Sequence, residues 1–311
     1  MEDNKLETLF LNYEQAEDKP TKINIKKEIC IYFHVRQQYD EVRKHGAELL
    51  SIAEEIGDKS NICSINNLMA QGHLVKGECA AAKEYLDKAY ALVEEVQNPT
   101  LYGVICNNYS RLEQINGNYS LALDWLLKSE KLLELNGLVD RLPLIYENIG
   151  GIYLVLKKYD TALEYYHKAI SLLKDKNERF GVYESIAEVY THVKDIKKAD
   201  DYIKKAYKYF KNTKDIRRLV YCTASYAAIK LYSKQYNNAL KYAEECIALA
   251  KEYQFGMEHF KSLAVIAYVY WETGELDKAK DYFEQALEFE SACYDKSILM
   301  WFYEGYGNFK N

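Results

Sequence analysis

The sequence has few residues that interrupt helices, since only three of its 311 residues are prolines, Pro20, Pro99 and Pro143. It also lacks an apolar stretch long enough to cross a bilayer. Its first residues are polar and acidic, without the apolar segment of a signal peptide. We therefore expect a helical protein in the cytoplasm that does not bind membranes.

Paired cysteine motifs and an excess of positive charge are also absent. The seven cysteines are scattered and include no Cys-x-x-Cys, which is typical of reduced, buried thiols in a cytosolic protein. The net charge is −6, whereas a nucleic-acid-binding surface needs basic residues to neutralise phosphates. The composition thus predicts that nucleic acid is not a partner.

Common catalytic motifs are missing too. The sequence has no Gly-x4-Gly-Lys phosphate loop, no Gly-x-Ser-x-Gly elbow and no His-Glu-x-x-His metal site. Its six histidines are spread along the chain without the spacing of metal ligands. Catalytic residues can also come together from distant positions, but a chain without any such motif favours binding over catalysis. We expect no cofactor, no bound metal and no enzymatic activity.

What the sequence does contain is a repeat of about 40 residues. The repeated pattern is an aromatic or aliphatic residue, two spacers and a small residue. Successive copies are 40, 40, 40, 37, 40 and 40 residues apart. Such a regular period predicts a stack of similar units, each packing on its neighbours. The copies are Tyr39/Val42, Cys79/Ala82, Tyr119/Ala122, Tyr159/Ala162, Ile196/Ala199, Tyr236/Ala239 and Leu276/Ala279.

Each repeat is predicted to be a helical hairpin. Apolar residues recur at spacings of three and four, the period of one helix face. Small residues such as Gly150, Ala187 and Ala267 would let the two helices of a hairpin lie close together. Glycine and asparagine, as at Gly77 and Gly117, stand where turns between helices are needed.

The spacing small-x2-Tyr, eight residues, Ala-x3-aromatic-x2-Ala resembles the tetratricopeptide repeat family. The family period is about 34 residues, so the step of 40 implies longer helices. Such lengthened repeats are similar to those of bacterial peptide-pheromone receptors and of the sensory halves of bacterial signalling proteins. Some positions depart from the pattern, since Lys230 and Glu113 stand where a tyrosine is usual. The resemblance implies an all-α, right-handed superhelical solenoid of about seven and a half hairpins.

The expected organisation is a helical lead-in over residues 1–22 and a repeat array over residues 23–311. The last repeat has only begun its second helix at Phe309, so we expect the array to be truncated at its C-terminus. The repeats are expected to start near residues 23, 63, 103, 143, 180, 220, 260 and 293.

The resemblance also implies that the first helix of each hairpin lines a concave groove. Amide side chains there could both donate to and accept from a peptide backbone, and glutamates and aromatic rings would favour a peptide with a basic middle and an apolar end. An alternative is that the amides merely solvate an empty groove. The candidate ligand-binding residues are Asn67, Gln71, Asn107, Arg111, Glu147, Glu184, Glu188, Tyr232, Tyr268 and Trp271.

Three roles fit this interpretation. The first is the sensory or regulatory module of a bacterial signalling protein whose output domain lies beyond residue 311. The second is a peptide-pheromone receptor, and the third is an adaptor in a protein assembly. In each role the partner is a peptide or a protein. A homodimer is also expected through the apolar C-terminal helix, at Ile298, Leu299, Trp301 and Phe302.

Overall fold

The computed structural model describes residues 3–36, 38–175, 177–213, 215–293 and 296–310. Within these ranges the chain forms sixteen α-helices and no strand, which confirms the predicted all-α class. The first eight are α1 (Asp3–Gln15), α2 (Lys19–Val35), α3 (Tyr39–Glu55), α4 (Lys59–Val75), α5 (Cys79–Val96), α6 (Pro99–Ile115), α7 (Tyr119–Leu135) and α8 (Leu142–Val155). The next eight are α9 (Tyr159–Leu172), α10 (Arg179–His192), α11 (Ile196–Lys211), α12 (Ile216–Tyr232), α13 (Tyr236–Tyr253), α14 (Gly256–Glu272), α15 (Leu276–Glu288) and α16 (Lys296–Lys310).

The helices divide into two compact halves, Met1–Lys157 and Lys158–Asn311, here called the N-terminal half and the C-terminal half. In the N-terminal half, α2 packs on α3, α4 on α5 and α6 on α7. In the C-terminal half the corresponding hairpins are α10 with α11, α12 with α13 and α14 with α15. Each half is therefore a stack of helical hairpins.

The repeated pattern marks the start of every second helix. The helices α3, α5, α7, α9, α11, α13 and α15 all begin at the first residue of a copy of the pattern. The small residue three positions later is fully buried in each copy, from Val42 in α3 to Ala279 in α15. These residues allow the backbones of neighbouring helices to approach closely, because a larger side chain would not fit in the close-packed interior.

Several first helices begin about one turn before the expected starts of the repeats. The carboxylate of Asp18 accepts a hydrogen bond from the Thr21 amide, and Asp58 caps α4 through the Asn61 amide. Asn98 and Asp215 cap α6 and α12 in the same way. These side chains satisfy amides that have no partner within the helix. The caps set the start of each helix at that point.

The turns within the hairpins place one residue in the left-handed region. Gly77 has a φ of +71° and Gly117 a φ of +81°, while Lys194 and Lys234 take φ values of +62° and +56° at the equivalent position. Glycine adopts this conformation without a steric cost. The Cβ of a lysine makes this conformation strained. The packing of the helices on either side therefore has to stabilise the turns at Lys194 and Lys234.

The C-terminal helix α16 corrects one expectation. Phe302 was predicted to lie on a dimer surface, but it is fully buried, with its ring centroid 5.0 Å from that of Phe260 and 5.8 Å from that of Phe283. Because α16 packs on α14, the Phe302 side chain is buried in the core of the C-terminal half and cannot contact a second molecule. Ile298, Leu299 and Trp301 are half-buried against the same core.

Candidate functional site

In the N-terminal half, the predicted amide residues join successive first helices. Asn67 on α4 accepts a hydrogen bond of 2.7 Å from Asn108 on α6. Asn107 accepts one of 2.7 Å from Asn148 on α8. Both bonds link residues that are 41 positions apart, so the same contact recurs from one hairpin to the next. These amides therefore hold neighbouring first helices in register.

The amide pairs differ in how much surface they leave for a ligand. Asn67 and Asn108 are buried, at 6% and 4% exposure. Asn107 and Asn148 are half-buried, so parts of both side chains face solvent. One turn after Asn107 on α6, Arg111 is exposed. The α6–α8 pair is thus the more accessible of the two.

The remaining two candidates of this half lie on the same helices. Gln71 follows Asn67 by one turn on α4 and is half-buried, and Glu147 precedes Asn148 on α8 and is also half-buried. Partly or fully exposed polar side chains consequently lie on three successive first helices, α4, α6 and α8.

In the C-terminal half a carboxylate takes the position that the amides occupy in the N-terminal half. Glu184 on α10 accepts a hydrogen bond of 3.1 Å from the Ser225 hydroxyl on α12, again 41 residues later. Lys261 on α14 donates to the same hydroxyl oxygen over 3.4 Å. Three successive first helices are thereby joined through one serine. The Cys222 thiol also lies 3.8 Å from Glu184 Oε2.

The surroundings of Glu184 change its acidity. Burial is the main cause and raises the pKa of Glu184 to about 7, because loss of water disfavours the charged form. The charge of Lys261 and the hydrogen bond from Ser225 act in the opposite direction, while the charge of Glu188 adds to the rise. Glu184 therefore changes charge near neutral pH at the surface of the first helices. Glu188, one turn later on α10, is exposed.

Of the three aromatic residues predicted in this half, Tyr232 is exposed, whereas Tyr268 and Trp271 pack against other aromatic rings. Tyr232 at the end of α12 is 47% exposed. Tyr268 on α14 stacks on Trp301 of α16 at 4.6 Å, and its hydroxyl donates a 2.7 Å hydrogen bond to the Trp301 carbonyl. Trp271 lies 5.9 Å from Tyr268 and 6.3 Å from Phe309. Tyr232 is hence the most accessible of the three predicted rings, since α16 covers part of the others.

Sequence reasoning missed the partners of these residues. Asn108, Asn148, Ser225 and Lys261 were not among the candidates, although each contacts the candidate site or its serine. A detectable pattern was present, because polar residues recur 41 positions after Asn67, Asn107 and Glu184. The repeat step is 40 residues, so a residue on one first helix could be expected to contact the residue 41 positions later on the next first helix. This rule would have predicted all three pairs.

This arrangement offers hydrogen-bond donors, acceptors and charges for a ligand. Among the described residues, no three His, Cys, Asp or Glu side chains form a group that could hold a metal ion. No helix in the described ranges is long and apolar enough to cross a membrane.

Two segments of the chain match family models of the tetratricopeptide repeat, residues 144–175 and residues 219–289. No curated protein matches the sequence. Solved structures do match. A signal-transduction ATPase with numerous domains and a tetratricopeptide repeat sensor, from Pyrococcus horikoshii, is 23% identical with a TM-score of 0.65. The match covers 89% of this chain but 43% of that protein, so this chain spans less than half of its length.

The quorum sensor NprR has a similar fold. Its apo form from B. thuringiensis has a TM-score of 0.70 at 14% identity, over 93% of this chain and 81% of that one. NprR in complex with its cognate peptide NprX gives a TM-score of 0.63 at 18% identity, over 92% and 85% of the two chains. At these identities the likeness shows the fold alone. Residues 144–175 and 219–289 are therefore similar to tetratricopeptide repeats, and the helical hairpins of this chain have the fold of tetratricopeptide-like solenoids.

Proposed function

We propose that this chain is a non-catalytic scaffold that binds a peptide or an extended protein segment along its first helices. The observation that carries the proposal is the half-buried pair of Asn107 and Asn148 on adjacent first helices, with exposed Arg111 one turn away. Amides can pair with both the N–H and the C=O of a peptide backbone. An arginine beside them can bind a carboxylate in two hydrogen bonds.

The C-terminal half supports the same proposal with a different set of groups. Glu188 is exposed on α10, and Tyr232 presents nearly half of its surface on α12. A partly exposed tyrosine offers a large apolar ring and a polar hydroxyl, which is why this residue is frequent in binding surfaces. The acidic and aromatic groups favour a ligand segment that carries a basic and an apolar residue.

The role we propose is that of a sensory or regulatory module in a bacterial signalling protein of the cytoplasm, with its output domain beyond residue 311. The sensor repeats of the ATPase from P. horikoshii and the peptide-bound NprR give this proposal its precedent in the same fold. The alternative is a peptide-pheromone receptor, for which the coverage of 81% of the apo NprR chain is the favouring observation. An adaptor in a protein assembly is the third role.

Selection from a randomised library of short peptides on the immobilised protein tests the proposal. The affinity of a selected peptide is then measured by calorimetry for the wild type, Arg111→Ala and Lys131→Ala. Lys131 is a matched control, because it is an exposed cation on α7, the second helix of the same hairpin. We expect Arg111→Ala to lower the affinity about tenfold, as for loss of a charged hydrogen bond.

Peptides that bind both variants as tightly as the wild type would contradict binding along α6. An adaptor that recognises only a folded partner would yield no saturable short peptide, and this outcome separates the third role from the first two. Thermal unfolding of each variant shows whether a loss of affinity reflects a loss of folded protein.

A further inference from the structure

The helix α11, a second helix of the C-terminal half, carries a row of unpaired lysines on its exposed face. Lys197, Lys204 and Lys208 are all exposed, and their spacings of seven and four residues place them on one face of the helix. None of the three has an ion pair within the part of the chain that the structure describes. Lys211, one turn further, does pair with Glu245, over 3.0 Å. We call the three unpaired lysines the basic ridge.

The helix α15 has an acidic ridge at the equivalent positions, formed by Asp277, Glu284 and Glu288. Each of these residues is exposed and stands 80 positions after one lysine of the basic ridge, which is two repeat steps. Among the described residues only Glu284 of the three has an ion pair, with Lys280 at 4.0 Å. Two repeat steps thus replace three exposed lysines by three exposed carboxylates.

The helix α13 lies between the two ridges and has no block of charge. Tyr207 on α11 donates a hydrogen bond of 2.9 Å to Glu245 on α13, and Tyr282 on α15 packs against the apolar cluster that contains Ala243 of α13. The equivalent exposed positions of α13 hold Asn237, Glu244 and Ala248. This half therefore presents a basic, a nearly neutral and an acidic helix in sequence on one surface.

Within a single molecule each ridge is unfavourable. Like charges four residues apart on a helix repel each other, as Lys204 and Lys208 do on α11 and Glu284 and Glu288 do on α15. Opposite charges on a binding partner would relieve both repulsions. Because the two ridges have the same spacing and opposite signs, a second copy of this chain carries the complement of each.

We propose that two copies of this chain form a dimer in which the basic ridge of each copy contacts the acidic ridge of the other. A two-fold axis along α13 places α11 of one copy opposite α15 of its partner and joins both pairs of ridges at once. The position between the charged residues does not contribute, because Asp201 and Asp281 are both acidic there. Single exposed ion pairs contribute little, so the affinity depends on the ridges acting together and falls as salt screens their charges.

This dimer contact is separate from the proposed peptide site and from α16. It uses second helices, whereas the peptide site lies on first helices, so either proposal can fail without the other. A dimer formed through the apolar side chains of α16 would not respond to a change of charge on α11 or α15.

Sedimentation velocity of the whole chain over a concentration series tests the proposal. We expect a monomer–dimer equilibrium at about 20 mM salt whose affinity falls at least about tenfold at about 500 mM salt. Two variants reverse the charge of one ridge each, and each variant should be a monomer by itself, because all of its ridges then have the same charge. An equimolar mixture of the two should form a one-to-one dimer. The variants are Lys197→Glu/Lys204→Glu/Lys208→Glu and Asp277→Lys/Glu284→Lys/Glu288→Lys.

A matched control reverses three exposed lysines on the second helices of the N-terminal half, and it should dimerise as the wild type does. Its substitutions are Lys44→Glu, Lys83→Glu and Lys131→Glu. A wild type that stays monomeric at low salt, a ridge reversal that leaves the dimer intact, or a mixture that does not pair would each overturn the proposal. Circular dichroism checks that every variant is folded. If a reversal variant unfolds, glutamine at the same three positions neutralises the ridge and should weaken the dimer at least about tenfold.

Discussion

The two halves of the molecule join their first helices at the same position with different chemistry. In the N-terminal half the contact is an amide pair, Asn67 with Asn108 and Asn107 with Asn148. In the C-terminal half it is Glu184 with Ser225. An amide pair has no charge to change, whereas the carboxyl group titrates near neutral pH. One backbone geometry therefore supports a pH-independent contact in one half and a pH-dependent contact in the other.

The pH dependence of Glu184 gives the largest expected effect. The folded chain keeps the Glu184 proton up to about pH 7, whereas an unfolded chain loses it near the ordinary pKa of 4.5. The unfolded state thus binds fewer protons between these values, and stability contributed by this group falls as the pH rises. Glu184→Gln should remove this loss, with a gain over the wild type of up to about 3 kcal/mol at pH 8 and little at pH 4.5.

Urea unfolding of the wild type and Glu184→Gln across this pH range measures the difference. The charged and polar groups around Glu184, which are Lys261, Arg218, Ser225, Cys222 and Glu188, remain in both proteins. Asp201→Asn is the control, because it removes an exposed carboxylate from α11, the second helix of the same hairpin, and Asp201 is not among the groups that shift the pKa of Glu184. A stability difference that does not vary with pH would show that Glu184 is ionised throughout.

The packing of small residues should be alike in both halves. Ala187 in α10 and Ala70 in α4 occupy equivalent positions and are fully buried. Enlarging either one to leucine forces a side chain into a close-packed interior, which costs about 1–3 kcal/mol. Thermal unfolding of Ala187→Leu and Ala70→Leu tests this. An unaffected melting temperature in one variant would show that its half can relax where the other cannot.

Breaking an amide pair should cost less where the pair is more exposed. Asn108→Ala leaves the buried carbonyl oxygen of Asn67 without its donor, at a cost of about 1–2 kcal/mol. Asn148→Ala should cost less, because water can reach the half-buried Asn107. Chemical denaturation at two pH values checks both points. Equal costs would contradict the argument from exposure, and a cost that changes with pH would contradict the neutral character of these contacts.

The turns provide the smallest expected effect. Lys234 has a φ of +56° at the position that Gly77 and Gly117 occupy in the N-terminal half. Lys234→Gly relieves the strain of a Cβ in this conformation but gives the unfolded chain more freedom. We expect a net gain of about 0.5 kcal/mol in the free energy of unfolding. A loss of stability would indicate that the packing of the lysine side chain outweighs the strain.

Much of the fold could be read from the sequence. The residues that open the repeated pattern, from Tyr39 to Leu276, are the first residues of the second helices. This prediction worked because a helix face repeats locally and needs no knowledge of distant contacts. The burial of Ala187 and Ala267 followed from the same periodicity.

The candidate site was predictable only in part. The sequence selected Asn67, Asn107 and Glu184, but it did not show that each already has a partner on the next first helix. It also placed Phe302 on the surface, whereas the ring lies in the core beside Phe260. The hydrogen-bond partners and the burial of Phe302 both depend on which helices pack together. That packing is determined by contacts between residues more than 30 positions apart in the sequence.

The sequence by itself determined the helices, their hairpin pairing and the small residues between them, because these follow from periodicities within about 40 residues. The tertiary structure alone decided the exposure and the charge state of the polar groups. Glu184 and Glu188 are one helical turn apart, yet packing against α12 raises the pKa of Glu184 to about 7 while Glu188 is exposed. Packing of neighbouring helices removes water from the Glu184 carboxylate, and this loss of water raises the free energy of its charged form.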